Sequence, residues 1–354
     1  MATVITPARM APRIFALVAA FALTIPTAGE EPQTIKAHDG WVGGVALSAD
    51  GSLMLSGGSD NHAKVWDVFT GKPIHTLRGH TNAVVGVAIS PDGRWYATAS
   101  HDKTARVWDP ESGESRQVLK SHHGAVLVVA FSHDSKMLAT GSVDGDIRLW
   151  DPAFGREIAT LTGHKSWVNA LAFSADGETL ASASSDGTVR LWDIGIRKER
   201  AVLKPNAGEV RSVAFSPDGA LVAAGTRYGT VKVWDTVGRL EKATLKGHAG
   251  DVWSVAFAPD GTALATVDGD WNRPADIRLY DAETWKERKT LKHTGEVLSL
   301  SFAAKAPIMA AGSWDKTVKI WGKPEKPHEP AVLPTPKLIE GERGPMPRVA
   351  KDKE

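Results

Sequence analysis

Four times along the chain, a histidine, a hydroxyl residue and an aspartate recur at one fixed spacing. The hydroxyl residue follows the histidine by 18 positions, the aspartate follows the hydroxyl by four, and a tryptophan follows the aspartate by six. The four sets are His38, Ser56, Asp60 and Trp66; His80, Thr98, Asp102 and Trp108; His122, Thr140, Asp144 and Trp150; and His164, Ser182, Asp186 and Trp192. Because a hydroxyl, a histidine and an aspartate form the triad of serine hydrolases, nucleophilic catalysis has to be considered. A group repeated four times is better explained as a requirement of the fold.

The sets are part of a longer period of 42 residues. The pair Trp-Asp begins at positions 66, 108, 150, 192 and 234, and Tyr280-Asp281 and Trp321-Gly322 continue the series after steps of 46 and 41. Histidines and Asp-containing turn triplets such as Pro91-Asp92-Gly93 recur in phase with these pairs. A period of this length indicates a solenoid, a propeller or another repeat array.

Within one repeat the pattern predicts only strands. In the fourth repeat these are Val168 to Phe173, Thr179 to Ser184, Thr188 to Trp192 and Ala201 to Leu203, and turn residues separate them. Four short strands make a small twisted sheet that cannot bury both of its faces alone. Seven such sheets arranged radially would cover one another.

The pairs Gly79-His80, Gly163-His164 and Gly247-His248, together with the Trp-Asp pairs, resemble the WD-repeat β-propeller family over about residues 32–322. The resemblance implies an all-β, seven-bladed β-propeller of four-stranded antiparallel blades. The segment Gln33-Thr34-Ile35-Lys36 precedes His38 as an outer strand would, and no equivalent follows Trp321. The resemblance therefore implies that this N-terminal strand completes the last blade, which also removes exposed sheet edges.

In that family the histidine, hydroxyl, aspartate and tryptophan form a hydrogen-bonded tetrad, so the four sets above are expected to be structural. The hydroxyl is then committed to the indole and is not free to attack a substrate. Three repeats depart from the pattern. The fifth has Asn206, Ala224 and Tyr228 with Trp234, the seventh has Ala311 in the hydroxyl position, and the sixth has Thr266 and Asp270 but reaches Tyr280 late, with extra residues within 270–276.

The resemblance also places partner-binding side chains on one rim of the disc, at positions three and five residues after each histidine and one before each tight-turn aspartate. The candidate binding residues, including one from the stretched loop of the sixth repeat, are Trp41, His101, Leu127, Trp167, Asn169, Arg211, Arg227, Trp253, Trp271 and Trp314. The same rim is expected to carry Glu209, Asp251, Glu296 and Leu298. Exposed Trp and Arg are typical of binding hot spots. The alternative is that some of these rings cap the central channel by packing on each other.

The ends of the chain differ from the repeats. Arg9 and Arg13 precede an apolar run from Ile14 to Ile25 and then small residues, so residues 1–29 are predicted to be a signal peptide, with Met10 as an alternative start. A membrane anchor is the competing interpretation, although twelve residues span only about 18 Å of a roughly 30 Å hydrocarbon core. Residues 323–354, rich in proline, are expected to form a flexible tail or a peptide that folds on binding.

These observations predict an exported, bacterial-type, non-catalytic scaffold that binds a protein or peptide and is secreted or periplasmic, as a monomer within a complex. No cofactor or metal is expected, because the chain has no cysteine and His122, beside His123, is already assigned to a tetrad. The net charge of +1 gives no reason to expect a nucleic-acid partner. Two alternatives stay open: a propeller enzyme or small-ligand binder acting at the channel mouth, and a scaffold tethered in a larger assembly by its tail.

Overall fold

Short β-branched and apolar segments alternate with turns throughout the computed structural model, which describes residues 31–270 and 274–322. The N-terminal strand is β1 (Gln33–Lys36), and the strands of the first three blades are β2 (Val42–Leu47), β3 (Leu53–Gly58), β4 (Ala63–Asp67), β5 (Pro73–Leu77), β6 (Val84–Ile89), β7 (Tyr96–Ser100), β8 (Ala105–Trp108), β9 (Ser115–Leu119), β10 (Val126–Phe131), β11 (Leu138–Ser142), β12 (Ile147–Asp151) and β13 (Arg156–Leu161). The remaining strands are β14 (Val168–Phe173), β15 (Thr179–Ser184), β16 (Val189–Asp193), β17 (Lys198–Leu203), β18 (Val210–Phe215), β19 (Leu221–Thr226), β20 (Val231–Asp235), β21 (Glu241–Leu245), β22 (Asp251–Phe257), β23 (Ala263–Gly269), β24 (Asp276–Asp281), β25 (Glu287–Lys292), β26 (Val297–Phe302), β27 (Met309–Ser313) and β28 (Thr317–Trp321). Among these described residues there is no helix with the length and apolar character needed to cross a bilayer.

The strands form seven antiparallel four-stranded sheets, which confirms the predicted seven-bladed β-propeller. Six sheets each contain four consecutive strands, and the seventh has the order β1-β28-β27-β26. In that sheet Ile35 pairs with Val318, so the N-terminal strand completes the last blade as predicted. The innermost strands of neighbouring sheets contact one another in sequence, and β26 contacts β2. The ring is therefore closed.

Aspartate and glycine shape the turn between the first two strands of a blade. In the first blade the Asp50 carboxylate accepts hydrogen bonds from the Ser48 hydroxyl at 2.6 Å and from the Ser52 N–H at 3.0 Å. Gly51 then adopts a φ of 74°, a left-handed conformation that glycine takes without a steric penalty. The third blade makes the same turn with Ser135 at φ 62°. The hairpin therefore keeps the same left-handed turn residue whether that residue is glycine or serine.

The hydrophobic core lies between neighbouring blades, which is why one blade cannot be stable alone. At the junction of the first and last blades, Met54 and Val45 belong to one buried cluster with Ile308 and Ala310. Further clusters of the same kind join the successive blades around the ring. Each sheet buries both of its faces, and together they hold the inner strands around a common axis.

The innermost strand of every blade has a register irregularity near its start. In the first blade the pairing jumps from Val42 to Gly44 and leaves Gly43 out of register. The corresponding residues in the other blades are Val85, Leu127, Asn169, Arg211, Trp253 and Leu298. Because a bulge re-aims the side chain at its position, these seven residues share a local geometry that a regular strand would not provide.

Candidate functional site

The four complete sets of tetrad residues each come together as one hydrogen-bonded chain. In the fourth blade His164 Nδ1 lies 2.8 Å from Asp186 Oδ2, and His164 Nε2 lies 2.7 Å from Ser182 Oγ. The Trp192 indole N–H donates to the same Ser182 oxygen at 2.8 Å. The first three blades repeat these contacts at 2.7–3.1 Å. The hydroxyl is therefore bonded to both the indole and the imidazole.

Burial determines the charge state of these groups. Burial lowers the pKa of His164 below its usual value of 6.5, against the opposing effect of Asp186. Burial alone would raise the pKa of Asp186, but hydrogen bonds from Thr188 and His164 outweigh it and lower the pKa to about 2. A neutral imidazole that donates from Nδ1 to a carboxylate and accepts at Nε2 from the hydroxyl satisfies every partner. The arrangement stabilises the blade and leaves the hydroxyl no open approach for a substrate.

The sixth blade differs from the sequence expectation for its aspartate. Asp268, not Asp270, accepts the hydrogen bond from the backbone N–H of Ala249, at 2.6 Å. Strand β23 continues to Gly269, one residue further from the hydroxyl position than in the other blades, and Asp268 is buried within it. Thr266 does bond His248 Nε2, at 2.7 Å. Asp270 is left outside the tetrad, where its charge acts on Glu296 instead.

The fifth and seventh blades lack complete tetrads, as their sequences indicate. Tyr228 stands in the aspartate position of the fifth blade and is 73% exposed. In the seventh blade, where Ala311 replaces the hydroxyl, the buried Nε2 of His293 has no hydrogen-bond partner among the described residues. Burial lowers the pKa of His293 to about 4.

A cavity of about 270 Å³ opens where the inner strands begin. Its lining residues are Trp41, Gly43, Val85, Leu127, Asn169, Arg211, Trp253, Glu296, Leu298 and Trp314. All seven bulge residues, one from each blade, are among them. The cavity is therefore the mouth of the central channel. The bulges of six blades direct a side chain into it, and the first blade contributes Gly43.

The mouth has an aromatic side at the junction of the first and last blades. The rings of Trp41 and Trp314 stack with centroids 5.4 Å apart and planes 4° apart. A glycine is required at position 43, because a Cβ there would lie 2.7 Å from the Trp41 ring and 2.9 Å from the Val85 backbone. Part of the predicted rim thus packs ring on ring, as the alternative interpretation anticipated, yet Trp314 keeps 40% of its surface exposed.

The part of the mouth formed by the fifth and sixth blades is charged. Arg211 bonds Asp251 at 3.2 Å and Glu209 at 2.9 Å, and its guanidinium lies 5.0 Å from the centre of the Trp253 ring. Arg227 bonds Glu209 at 2.6 Å. Both arginines that the sequence placed on the rim are therefore held in ion pairs with rim carboxylates, and Arg211 is also in contact with an indole.

Glu296 is the buried acid of the mouth, with 6% of its surface exposed. Its Oε1 accepts a hydrogen bond from the Trp253 indole at 2.8 Å. Burial raises the pKa of Glu296, and the nearby charges of Asp270 and Asp251 raise it further. In the described part of the chain, Glu296 forms no ion pair.

Three other candidates lie on the same rim but outside the cavity lining. Trp167 is 52% exposed, and its carbonyl accepts the N–H of Ser185. The backbone N–H groups of His101 and Arg227 donate to the carbonyls of Ala83 and Glu209, which lie three residues after His80 and after Asn206, the residue in the histidine position of the fifth blade. Trp271 lies outside the described residues. The rim is thus broader than the mouth.

Sequence reasoning placed Glu296 on the rim but did not select it as a binding residue. Its proximity to Trp253 follows from a blade contact between residues 43 positions apart, which no local pattern reveals. The available signal was an acid at a position three after the histidine, where the first and fourth blades have tryptophan. Among residues 31–270 and 274–322, no group of three or more His, Asp or Glu side chains could hold a metal ion.

Two family models match the sequence. The model described as IFT122 first beta-propeller matches residues 86–327. The model described as WD domain, G-beta repeat, matches residues 29–67. No curated protein matches the chain.

Proposed function

The chain belongs to the WD-repeat β-propellers of the IFT122 first beta-propeller family, and from that membership we propose that it is a non-catalytic scaffold that binds a protein or peptide at the mouth of its central channel. WD-repeat propellers are commonly interaction scaffolds. The tetrads fit this proposal, because their hydroxyls are bonded on both sides and repeat as structural elements do.

One observation carries the proposal: the bulge positions share a backbone geometry but not a residue type. Four blades keep the same tetrad chemistry at equivalent positions. The bulge positions instead hold Gly, Val, Leu, Asn, Arg, Trp and Leu. Side chains that the fold needs are repeated, so side chains that differ from blade to blade at one geometry are available for recognition. A partner that reaches the mouth would contact every blade at once.

The experiment is site-specific photo-cross-linking in the full-length protein. A photoreactive residue replaces Leu127 in the mouth, and a matched control replaces Phe154, which is 77% exposed in the turn between β12 and β13. The proposal expects a discrete cross-linked partner from position 127 that is lost when Trp253→Ala is added. Cross-linking from position 154 alone would show that the side of the disc is the working surface and would refute the proposal.

A shortened chain that ends at Gly322 tests the scaffold tethered by its tail. If the cross-link from position 127 survives removal of residues 323–354, the disc is sufficient for binding. If the cross-link disappears while the disc melts at an unchanged temperature, the tail is the binding element and the mouth is not.

We also propose that the chain is exported, because residues 1–29 have the charged, apolar and small-residue order of a signal peptide. Mass spectrometry of the N-terminal peptide of the protein from its native cell envelope tests this. Cleavage after Ala28 or Gly29 is expected. An intact leader in the membrane fraction would instead support an anchor.

A further inference from the structure

We propose that the mouth cavity receives a basic side chain of the partner, lysine or arginine, with Glu296 as its counter-ion and tryptophan rings as its walls. This inference rests on the proposed function, because it specifies which part of a partner enters the mouth.

The size of the cavity favours a single side chain. Its volume of about 270 Å³ is close to the lower limit of the range of about 300–1,000 Å³ that is typical of sites for drug-sized ligands. The lining is mainly apolar and aromatic, with few polar groups. A flexible alkyl stem with one charged end fits such a space, because the stem contacts the indoles and the charged end reaches a polar group.

The charge of the mouth favours a cation. Glu209, Asp251, Asp270 and Glu296 bring four carboxylates to this side of the rim, whereas the arginines that face them are Arg211 and Arg227. Both arginines are in ion pairs with Glu209, and Arg211 also pairs with Asp251. Glu296 has no such cation among the described residues.

The surroundings of Glu296 make its unpaired charge costly. Glu296 is buried, and its carboxylate accepts a hydrogen bond from the Trp253 indole. A buried carboxylate without a counter-ion is destabilised, and a cation that enters the cavity would relieve that cost. The raised pKa of Glu296 is the effect expected of such a position.

The aromatic walls also suit a cation. The Arg211 guanidinium already lies over the Trp253 ring at 5.0 Å, so an indole of this mouth accommodates a positive charge on its face. Indole is the most favourable aromatic surface for such contacts. The stacked pair of Trp41 and Trp314 adds apolar surface for the alkyl stem.

The test titrates the full-length protein with short blocked peptides and follows indole N–H resonances by NMR. The peptides share one sequence with a central lysine, arginine, acetyl-lysine or norleucine, and butylammonium serves as a free amine. Binding of the lysine or arginine peptide at least about tenfold tighter than the acetyl-lysine and norleucine peptides is expected, the scale of one lost charge-assisted contact. Equal affinity for all four peptides would overturn the proposal. Butylammonium binding as tightly as the lysine peptide would mean that the mouth takes a free amine, which also overturns it.

Variants identify the counter-ion. Glu296→Gln keeps an acceptor for the Trp253 indole but removes the charge, so the lysine peptide should bind about tenfold more weakly. Glu283→Gln, on a turn outside the mouth lining, is the matched control and should change nothing. Asp270→Asn, at an exposed position, should weaken binding about two- to threefold even if Glu296→Gln unfolds the blade. Unchanged affinity for the lysine peptide in both Glu296→Gln and Asp270→Asn would refute the role of these carboxylates in binding the cation.

The two proposals fail in different ways. A partner that still cross-links from position 127 in the Glu296→Gln protein with unchanged yield would leave the scaffold intact and refute the basic side chain. Lysine-peptide binding without any cross-linked partner would contradict the scaffold at the mouth instead.

Discussion

Moving the tetrad hydroxyl between two blades gives a sharp test of how the propeller is stabilised. Ser182→Ala removes the hydroxyl from the fourth blade, where it bonds both His164 and Trp192. Ala311→Ser adds one to the seventh blade, where the alanine is fully buried. Ser182 pairs across the sheet with Arg190 as Ala311 pairs with Lys319, so the two positions have the same register.

The expected free energies follow from the buried polar atoms. Without Ser182, His164 Nε2 and the Trp192 N–H lose their partner, at about 1–3 kcal/mol for each buried group left unpaired. We expect the free energy of unfolding to fall by about 2–6 kcal/mol, which corresponds to a decrease in Tm of roughly 3–10 °C for a domain of this size. In the seventh blade Gly295 N–H donates to His293 Nδ1 at 3.2 Å, so the neutral ring has a proton on Nε2. A serine at position 311 would accept that proton and stabilise the fold by about 0.5–1.5 kcal/mol.

Urea denaturation and thermal melting of the full-length protein measure both changes. Ala310→Ser is the matched control, because Ala310 is equally buried and precedes Ala311 on the same strand, so its side chain points to the opposite face of the sheet. The reasoning is refuted if Ser182→Ala melts with the wild type, or if Ala311→Ser is no more stable than Ala310→Ser. The two substitutions need not change the free energy of unfolding by equal amounts, because only Ser182→Ala leaves two buried groups unpaired.

Three further outcomes are expected. Between pH 7 and 5 the unfolded chain should bind more protons than the folded one, because burial lowers the pKa of His38, His80, His122, His164, His248 and His293. The free energy of unfolding should therefore fall by at least about 1 kcal/mol as the pH is lowered from 7 to 5, and Tm should fall with it. A Tm that does not change over this pH range would contradict the prediction. Ile35→Ala in the closing strand should cost about 2–4 kcal/mol in a denaturation experiment, whereas the exposed Thr34→Ala should cost little; equal effects would mean that β1 does not close the ring energetically. Lys103→Gly, at a φ of 73°, should raise Tm through relief of about 1 kcal/mol of backbone strain, and a lower Tm would show that the turn is not strained.

Much of the fold could be predicted because the sequence of each repeat contains local signals for its own turns and strands. The Trp-Asp pairs, the histidines and the Asp-Gly turns are local signals, and their recurrence in phase over seven repeats indicates the number of blades. The closing role of β1 was also predictable, because Ile35 lies the same distance before His38 as Leu77 before His80. The sixth blade could not be read correctly in this way. Its strand continues one residue further past the hydroxyl position, so counting four residues from Thr266 selected Asp270, whereas Asp268 is the aspartate that accepts the backbone N–H of Ala249, after His248.

The mouth was only partly predictable from the sequence. Counting five residues from each histidine selects the positions that line the cavity, but the reason is the bulge that breaks the register of each inner strand. A bulge depends on the pairing of two strands and has no signature in one of them. The contact between Trp253 and Glu296 likewise joins two blades, so it follows only from the closed ring.

The bulges also explain how one repeat can supply both stability and recognition. A regular strand alternates its side chains between the two faces of the sheet, and in a propeller both faces are buried against other blades. In an inner strand without a bulge, every side chain would therefore be buried against a neighbouring blade. The extra residue is excluded from that alternation, so Arg211 can bear a charge between the buried Val210 and Ser212 without placing it in the core. The tetrads, in contrast, keep their polar groups buried, because each of these groups has a hydrogen-bond partner within the tetrad. Recognition residues can consequently change from blade to blade at the bulge while the tetrads and the inter-blade clusters hold the ring in place.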